Sequence, residues 1–261
     1  MSRIRKTFEI LKGNEHKGFI PFITAGDPDL ETTHELLIEL ARAGATVIEL
    51  GVPFSDPMAD GPVIQRASER ALRHGFGLSA VLETVSKARQ EIDVPIVLFS
   101  YFNPLLQFGL EKLADESRRV GLDGVLVTDL APEEAGEFST LLRARDLDMI
   151  FLVAPTSTDT RLQMVAERAR GFIYAVSRAG VTGAREEMNA DAEKLVKRIK
   201  RLSDLPVAVG FGISTPEHVR DVWRYADAAV VGSAIVAEIE QSQSPAEAVS
   251  RVGEFARHLI S

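Results

Sequence analysis

The stretch that decides the fold runs from residue 47 to residue 62 and reads VIELGVPFSDPMADGP. It begins as a short apolar run of the kind that forms a buried parallel strand, yet Glu49 stands inside that run. A carboxylate is costly to bury unless it is paired, protonated or used in chemistry. Prolines and a glycine then exclude regular structure from a loop that carries Asp56 and Asp60. Two interpretations of Glu49 stay open: a catalytic acid, or a structural acid in a salt bridge at a strand end.

Similar apolar runs recur along the chain, and each is followed by a longer amphipathic stretch. The runs predict strands over Gly18–Thr24, Thr46–Leu50, Pro95–Tyr101, Asp123–Thr128, Asp148–Val153, Gly171–Val176, Pro206–Phe211 and Asp227–Val231. The amphipathic stretches predict helices near Leu30–Ala43, Val63–Glu91, Leu110–Val120, Glu133–Arg145, Thr160–Ala169, Ala190–Leu202, Pro216–Arg224 and Ser233–Ile260. Regular alternation of this kind dictates a parallel α/β sheet, and eight units favour a closed (β/α)8 TIM barrel over an open doubly wound sheet. Met1–Lys12 adds a helix-like segment at the N-terminus, and residues 1–261 are predicted to form a single domain.

Composition restricts the classes of function. The chain has 261 residues, of which 45% are hydrophobic and 26% charged, so it can build a large core. A formal net charge of -8 argues against nucleic acid or an anionic membrane as the main partner. The absence of cysteine excludes disulfides, thiolate metal sites and a cysteine nucleophile. No apolar run approaches the ~18 residues that span a bilayer, and the N-terminus lacks the apolar core of a signal peptide. We therefore expect a soluble cytoplasmic protein.

In a barrel, the residues at the carboxyl ends of the strands face the active-site mouth. The predicted mouth therefore collects the polar and aromatic residues Asp27, Glu49, Asp60, Tyr101, Asn103, Asp129 and Tyr174. The polar stretch Ser177–Arg185, after the sixth strand, is typical of a mobile lid, although an ordinary surface loop has the same composition.

The last third of the chain predicts an anion site. Gly210–Ser214 follows the seventh predicted strand, and Val231–Ala234 follows the eighth and opens a helix. Glycines let the backbone approach a ligand closely, and a helix N-terminus presents free N–H groups at its positive end. Because barrels commonly hold phosphate after strands seven and eight, these two loops indicate phosphate binding.

What the sequence lacks narrows the chemistry further. No lysine stands at the carboxyl end of a predicted strand, so a Schiff-base mechanism has no obvious nucleophile. The five histidines are scattered without the spacing of metal ligands, so no metal site is predicted. The chemistry must then rest on carboxyl groups, dipoles and tyrosine, acting on a phosphate ester whose bond breaks by proton transfer.

At these residues the chain resembles the tryptophan synthase alpha subunit family, along essentially its full length. The stretch LGVPFSDPMADGP (residues 50–62) is similar to that family's signature, with support from PFITAGDP (21–28), SRAGVTG (177–183) and GFGI (210–213). The resemblance implies cleavage of indole-3-glycerol phosphate to indole and glyceraldehyde 3-phosphate, the step before indole is joined to serine in tryptophan biosynthesis. It implies no cofactor in this chain and a beta subunit that carries pyridoxal phosphate, in a complex of two alpha and two beta chains.

The resemblance also implies roles for individual residues. Glu49 and Asp60 occupy the two catalytic positions, and Thr182 matches a lid residue that closes on Asp60. The implied indole pocket and phosphate-binding backbone, to which we add the mouth residue Tyr101, predict substrate-binding roles for Phe22, Phe99, Tyr101, Leu126, Tyr174, Thr182, Gly183, Phe211, Gly212, Gly232 and Ser233. Ala131, where the family commonly has proline, and Thr128 depart from the pattern and affect only the details of the pocket.

The reaction assigns different tasks to the two acids. An apolar barrel mouth should raise the pKa of Glu49, so that it can donate and accept a proton. Asp60, on a polar loop, should stay ionised and hold the indole N–H. Two other functions remain open from the residues alone: another phosphate-binding barrel isomerase or synthase, and a non-catalytic barrel that only binds.

Overall fold

The eight predicted strands form a closed parallel barrel. The computed structural model describes residues 1–176, 185–210 and 212–261. The strands are β1 (Gly18–Thr24), β2 (Ile48–Gly51), β3 (Ile96–Ser100), β4 (Gly124–Val127), β5 (Asp148–Val153), β6 (Ile173–Val176), β7 (Val207–Gly210) and β8 (Ala228–Val231). They pair in sequential order and β1 closes on β8, so the (β/α)8 barrel is confirmed and the open sheet is wrong.

The helices surround the barrel and cover its outer face. They are α1 (Arg3–Gly13), α2 (Leu30–Arg42), α3 (Pro62–Leu72), α4 (Leu78–Ala88), α5 (Phe102–Phe108), α6 (Leu110–Val120), α7 (Gly136–Arg143), α8 (Asp159–Arg168), α9 (Arg185–Lys200), α10 (Pro216–Trp223), α11 (Ser233–Glu240) and α12 (Pro245–Leu259). None of the helices that the structure describes is long and apolar enough to cross a membrane.

Three segments differ from the predicted elements. Val63–Glu91 is two helices, because the chain turns at Gly75, whose φ of +67° favours glycine, before α4 begins after Gly77. Ser233–Ile260 is also two helices, and Ser244 caps the second through the N–H of Glu247. The third strand ends at Ser100, and the residues after it form α5, which the periodicity did not predict.

The extra N-terminal helix is present and closes one end of the barrel. Ile4 and Phe8 of α1 are buried in the cluster that fills the barrel interior, where Phe172 packs against Phe8 with the ring centroids 6.0 Å apart. Around α1, Arg3 and Arg89 both donate to the buried carboxylate of Asp123. The interior is therefore packed shut at the amino ends of the strands, and a ligand has access from the opposite end.

Candidate active site

Glu49 lies on β2 with its side chain in the barrel interior. It pairs in register with Phe22 of β1 and Val97 of β3, and only 1% of its surface is exposed. Among the described residues, its Oε1 atom has no hydrogen-bond partner, and no charged group acts on its carboxyl group. Burial raises the pKa of Glu49 from its usual 4.5 to about 8. The described residues thus offer no structural salt bridge to Glu49, and its carboxyl group is mostly protonated at neutral pH.

Aromatic rings form the wall beside Glu49. The rings of Phe22 and Phe99 meet edge to face, with their centroids 5.2 Å apart. A Cβ atom on Gly51 would lie 2.5 Å from Cζ of Phe22, so this ring position requires glycine in β2. Leu126 is fully buried in the interior cluster against which Phe99 packs. The predicted indole-pocket residues of β1, β3 and β4 therefore lie together and form an apolar wall.

Tyr174 completes this wall from β6. A Cβ atom on Gly210 would lie 2.3 Å from the Tyr174 hydroxyl oxygen, so β7 must also carry glycine here. Burial raises the pKa of Tyr174 well above its usual value, and the charge of Glu49 raises it further. Tyr174 therefore keeps its proton beside the carboxyl group of Glu49. Sequence reasoning assigned no role to Gly51 or Gly210 in shaping the pocket, although a glycine at the end of a strand does signal a close approach.

Asp60 is held by a hydrogen-bonded pair of loops. The Tyr101 hydroxyl accepts from the Ala59 N–H at 2.9 Å and donates to Oδ2 of Asp60 at 3.1 Å. Because the backbone N–H occupies the oxygen as an acceptor, the hydroxyl proton is directed at the carboxylate. Gln65 of α3 also donates to the Asp60 carbonyl at 2.9 Å. Tyr101 thus contacts the catalytic loop, while its predicted contact with substrate stays a prediction.

The ionisation of Asp60 depends on two opposed effects. Burial raises its pKa, and the hydrogen bond from Tyr101 lowers it. Burial therefore opposes the expected ionisation of Asp60, and the hydrogen bond from Tyr101 favours it. The carboxylate still has a partner that stabilises its charge, whereas Oε1 of Glu49 has none among the described residues. Two acids in unlike surroundings can take the two unlike roles of proton donor and charge stabiliser.

The predicted phosphate loops lie beyond β7 and β8. Gly212 has a φ of +61°, which explains glycine there, and Gly232 precedes Ser233, the first residue of α11. No side chain caps α11, and the N–H groups of Ser233 and Ala234 have no acceptor among the described residues. A helix N-terminus with free N–H groups is suited to an anion. Phe211, Thr182 and Gly183, together with the predicted lid as far as residue 184, lie outside the described residues.

One cavity of the fold lies away from this site. A cavity of about 490 Å³ lies at the opposite end of the barrel, where Phe8 and Leu11 of α1 line it beside Asp227. Neither Glu49 nor Asp60 lines that cavity. In residues 1–176, 185–210 and 212–261 there is no group of three or more histidine, aspartate or glutamate side chains that could hold a metal ion.

The closed barrel, together with a buried carboxyl group beside an apolar wall, is typical of the class of (β/α)8-barrel enzymes. Within that class the family is also shown. The model of the family described as tryptophan synthase alpha chain matches residues 8–260, and the chain belongs to this family.

Relatives match the chain over nearly its whole length. It is 47% identical over 259 residues to the tryptophan synthase alpha chain of Solibacter usitatus, covering 99% of this chain and 97% of that protein. It is 52% identical to the one of Geobacter sulfurreducens, covering 92% of this chain and 91% of that protein. Among solved structures, tryptophan synthase subunit alpha from Legionella pneumophila superposes with a TM-score of 0.90 at 38% identity, covering 100% and 97% of the two chains.

A further solved structure concerns a complex. A chain from the tryptophan synthase a2b2 complex of Pyrococcus furiosus superposes with a TM-score of 0.87 at 40% identity, covering 93% of this chain and 97% of that chain. That complex is described as showing mutual activation.

Proposed function

We propose that this chain is a lyase that cleaves indole-3-glycerol phosphate into indole and glyceraldehyde 3-phosphate, in the last steps of tryptophan biosynthesis. The observation that carries the proposal is the buried Glu49 carboxyl, protonated at neutral pH, beside an apolar wall that suits an indole ring. Family membership supports the same reaction.

The reaction is a retro-aldol cleavage that needs one proton delivered and one removed. Indole is a poor leaving group until its C3 atom is protonated, and Glu49 donates that proton. The resulting positive charge reaches the ring nitrogen, where ionised Asp60 accepts a hydrogen bond from the N–H and stabilises the charge. The Glu49 carboxylate then takes the proton of the glycerol hydroxyl next to the ring. The carbon–carbon bond breaks, its electron pair restores the aromatic indole, and Glu49 is protonated again.

The phosphate end of the substrate binds at the other side of the mouth. The free N–H groups at the start of α11, with the adjacent Gly232 and Gly212, support an anion there despite the net negative charge of the chain. This backbone cradle uses no lysine or arginine. Substrate binding by Ser233, and by Gly183 in the undescribed lid, is part of the same proposal.

The primary test is direct. Purified chain mixed with indole-3-glycerol phosphate should release indole, and Asp60→Asn should remove most of this activity. Asp56→Asn is a matched control, because Asp56 lies in the same loop, is exposed and accepts a hydrogen bond from Ser55 at 2.6 Å. No indole from the correctly folded wild-type chain would refute the proposed function. Equal losses in the two variants would refute the role of Asp60.

A partner belongs to the proposal. We infer that the chain forms a complex of two alpha and two beta chains, with pyridoxal phosphate in the beta subunit and no cofactor in this chain. Docking of the beta subunit at the mouth should favour a closed lid, with Thr182 in contact with Asp60, and so raise turnover. Steady-state indole formation should rise on adding the cognate beta subunit, and Thr182→Val should lose most of the gain. An unchanged rate in a verified complex would contradict the coupling.

Two broader expectations also remain proposals. Pairing of β1 with β8 supports a single domain over residues 1–261. A cytoplasmic location is the expected site of this reaction, and cell fractionation would test it.

A further inference from the structure

An arginine on α3 connects three elements on the mouth side of the barrel. Arg70 donates from Nε and Nη2 to the two carboxylate oxygens of Asp27, at 2.7 and 2.8 Å. Its Nη1 atom donates to Oε1 of Glu240 at 2.7 Å. Asp27 is 1% exposed and lies in the turn after β1, while Glu240 is the last residue of α11. One planar guanidinium therefore ties α3 to β1 and to α11.

A second arginine strengthens the connection between the two helices. Arg66, one turn before Arg70 on α3, binds both carboxylate oxygens of Glu240 at 2.7 Å each. The hydrogen bonds from Arg66, and then those from Arg70, lower the pKa of Glu240 to about 2. Glu240 is therefore ionised across the working range of pH. A bidentate pair fixes orientation as well as distance, which a single point charge does not do.

The joined helices are the ones that carry the two halves of the proposed site. Helix α3 begins at Pro62, directly after the catalytic loop, and α11 begins at Ser233, in the proposed phosphate cradle. Between them, Ala67 of α3 and Val236 of α11 are buried in one small cluster with Phe22. At about 1.5 Å of rise per residue, Arg70 lies roughly 12 Å along α3 from Pro62, and Glu240 lies roughly 10 Å along α11 from Ser233. Arg70 is thus too far from the ligand-binding ends to touch the substrate.

We propose that Arg70 is a positioning residue, which sets the distance between the acid loop and the phosphate cradle by fixing α3 against β1 and α11. The inference rests on the proposed function, because it requires one substrate to be held at both ends. A ligand with two anchored ends binds well only if the two half-sites stand at the correct separation. A fragment that carries one end binds at its own half-site, so its affinity does not depend on that separation.

This difference between whole ligand and fragments gives the test. The probes are 3-(indol-3-yl)propyl phosphate, which carries both ends and cannot be cleaved, and indole and glycerol 3-phosphate, which carry one end each. Affinities are measured with the purified chain at equilibrium, for wild type and Arg70→Met. We expect the variant to lose about tenfold or more in affinity for the two-ended probe, and less than about twofold for either fragment.

Two control variants separate positioning from general loss of stability. Arg89→Met breaks a buried ion pair with Asp123 at the opposite end of the barrel and should leave all three affinities unchanged. Arg66→Met leaves the fork between Arg70 and Asp27 intact and should weaken the two-ended probe less than Arg70→Met does. If Arg70→Met does not fold, Glu240→Gln serves in its place, because it weakens the bonds to α11 while the pair with Asp27 remains.

The outcomes distinguish failure of this inference from failure of the proposed function. The inference would be overturned if Arg70→Met, or its substitute Glu240→Gln, lost affinity equally for the probe and for the fragments, or lost none for the probe. The same selective loss of affinity in Arg89→Met would also overturn it. A wild-type chain that binds neither the probe nor glycerol 3-phosphate would refute the proposed function instead.

Discussion

Replacement of Glu49 by glutamine tests the proton that the mechanism requires, and it does so without relying on activity. In the folded chain the pKa of Glu49 is about 8, against 4.5 when the side chain is free of the fold. A folded pKa above the unfolded one means that the native state binds the extra proton between these two values. The contribution of Glu49 to the free energy of unfolding is therefore full below pH 4.5 and is lost as the pH rises through about 8, because over this range the unfolded chain releases a proton that the native state retains.

The magnitude follows from the shift. Each pH unit between the two pKa values changes the free energy of unfolding by ~1.4 kcal/mol. Wild type therefore loses ~3 kcal/mol of stability between pH 5 and pH 8. Glutamine has no such dependence. Relative to wild type, Glu49→Gln should therefore become progressively more stable as the pH rises. The cost of packing the amide in place of the carboxyl group does not depend on pH, so it does not affect this trend. The same variant should lose indole release by roughly 10²–10⁴-fold, the usual contribution of a positioned acid–base group.

The assay is urea unfolding of both proteins from pH 5 to pH 8, followed by the difference between their midpoints. Only that difference is interpreted, because a chain of this length can populate intermediates. Glu35→Gln, an exposed position on α2, controls for the removal of an acid. A difference that stays constant within ~1 kcal/mol over this range would show that Glu49 does not hold a proton at neutral pH, and the shuttle assignment would fail.

Three further predictions concern the rest of the site. Tyr101→Phe should lower kcat/KM by about tenfold and move the acidic limb of the pH–rate profile to higher pH, because Asp60 loses a hydrogen bond that favours its ionised form; an unmoved limb would contradict this role. Gly210→Ala should cost at least about tenfold in kcat/KM while the circular dichroism spectrum is kept, because the added methyl group displaces the Tyr174 ring; normal kinetics would refute the close approach. Gly232→Val should raise KM for the phosphorylated substrate by about tenfold, with thermal stability much less affected, and Gly232→Ala should raise KM less, because its nearest neighbour would be 3.7 Å away; equal KM values for all three proteins would exclude this loop as the cradle.

Local patterns in the chain were sufficient to predict the architecture. Mainly apolar runs of four to seven residues mark all eight strands, because a strand buried on both faces excludes most polar side chains. The glycine at residue 121 ends α6 in the left-handed region, as its place after an apolar helical run predicts. Helix boundaries were less predictable where a turn interrupts one continuous amphipathic pattern, as at Gly75 and before Pro245.

The contacts that shape the site were not predictable from local patterns. Tyr101 and Asp60 are 41 residues apart, and Arg70 and Glu240 are 170 apart, so no periodicity relates either pair. Glycine at residues 51 and 210 is explained only by the rings that lie against it. These pairings depend on which strands and helices become neighbours after the barrel has closed.

The sequence by itself determined the barrel, the position of two carboxyl groups at its mouth and the glycine loops of the proposed anion site, because each is encoded within a few neighbouring residues. Only the tertiary structure decided how those acids behave. Burial in the closed barrel raises the pKa of Glu49. Burial also raises the pKa of Asp60, and the Tyr101 hydroxyl, after β3, lowers it. Desolvation and long-range hydrogen bonds are properties of the closed barrel, since an isolated strand leaves both carboxyl groups in water.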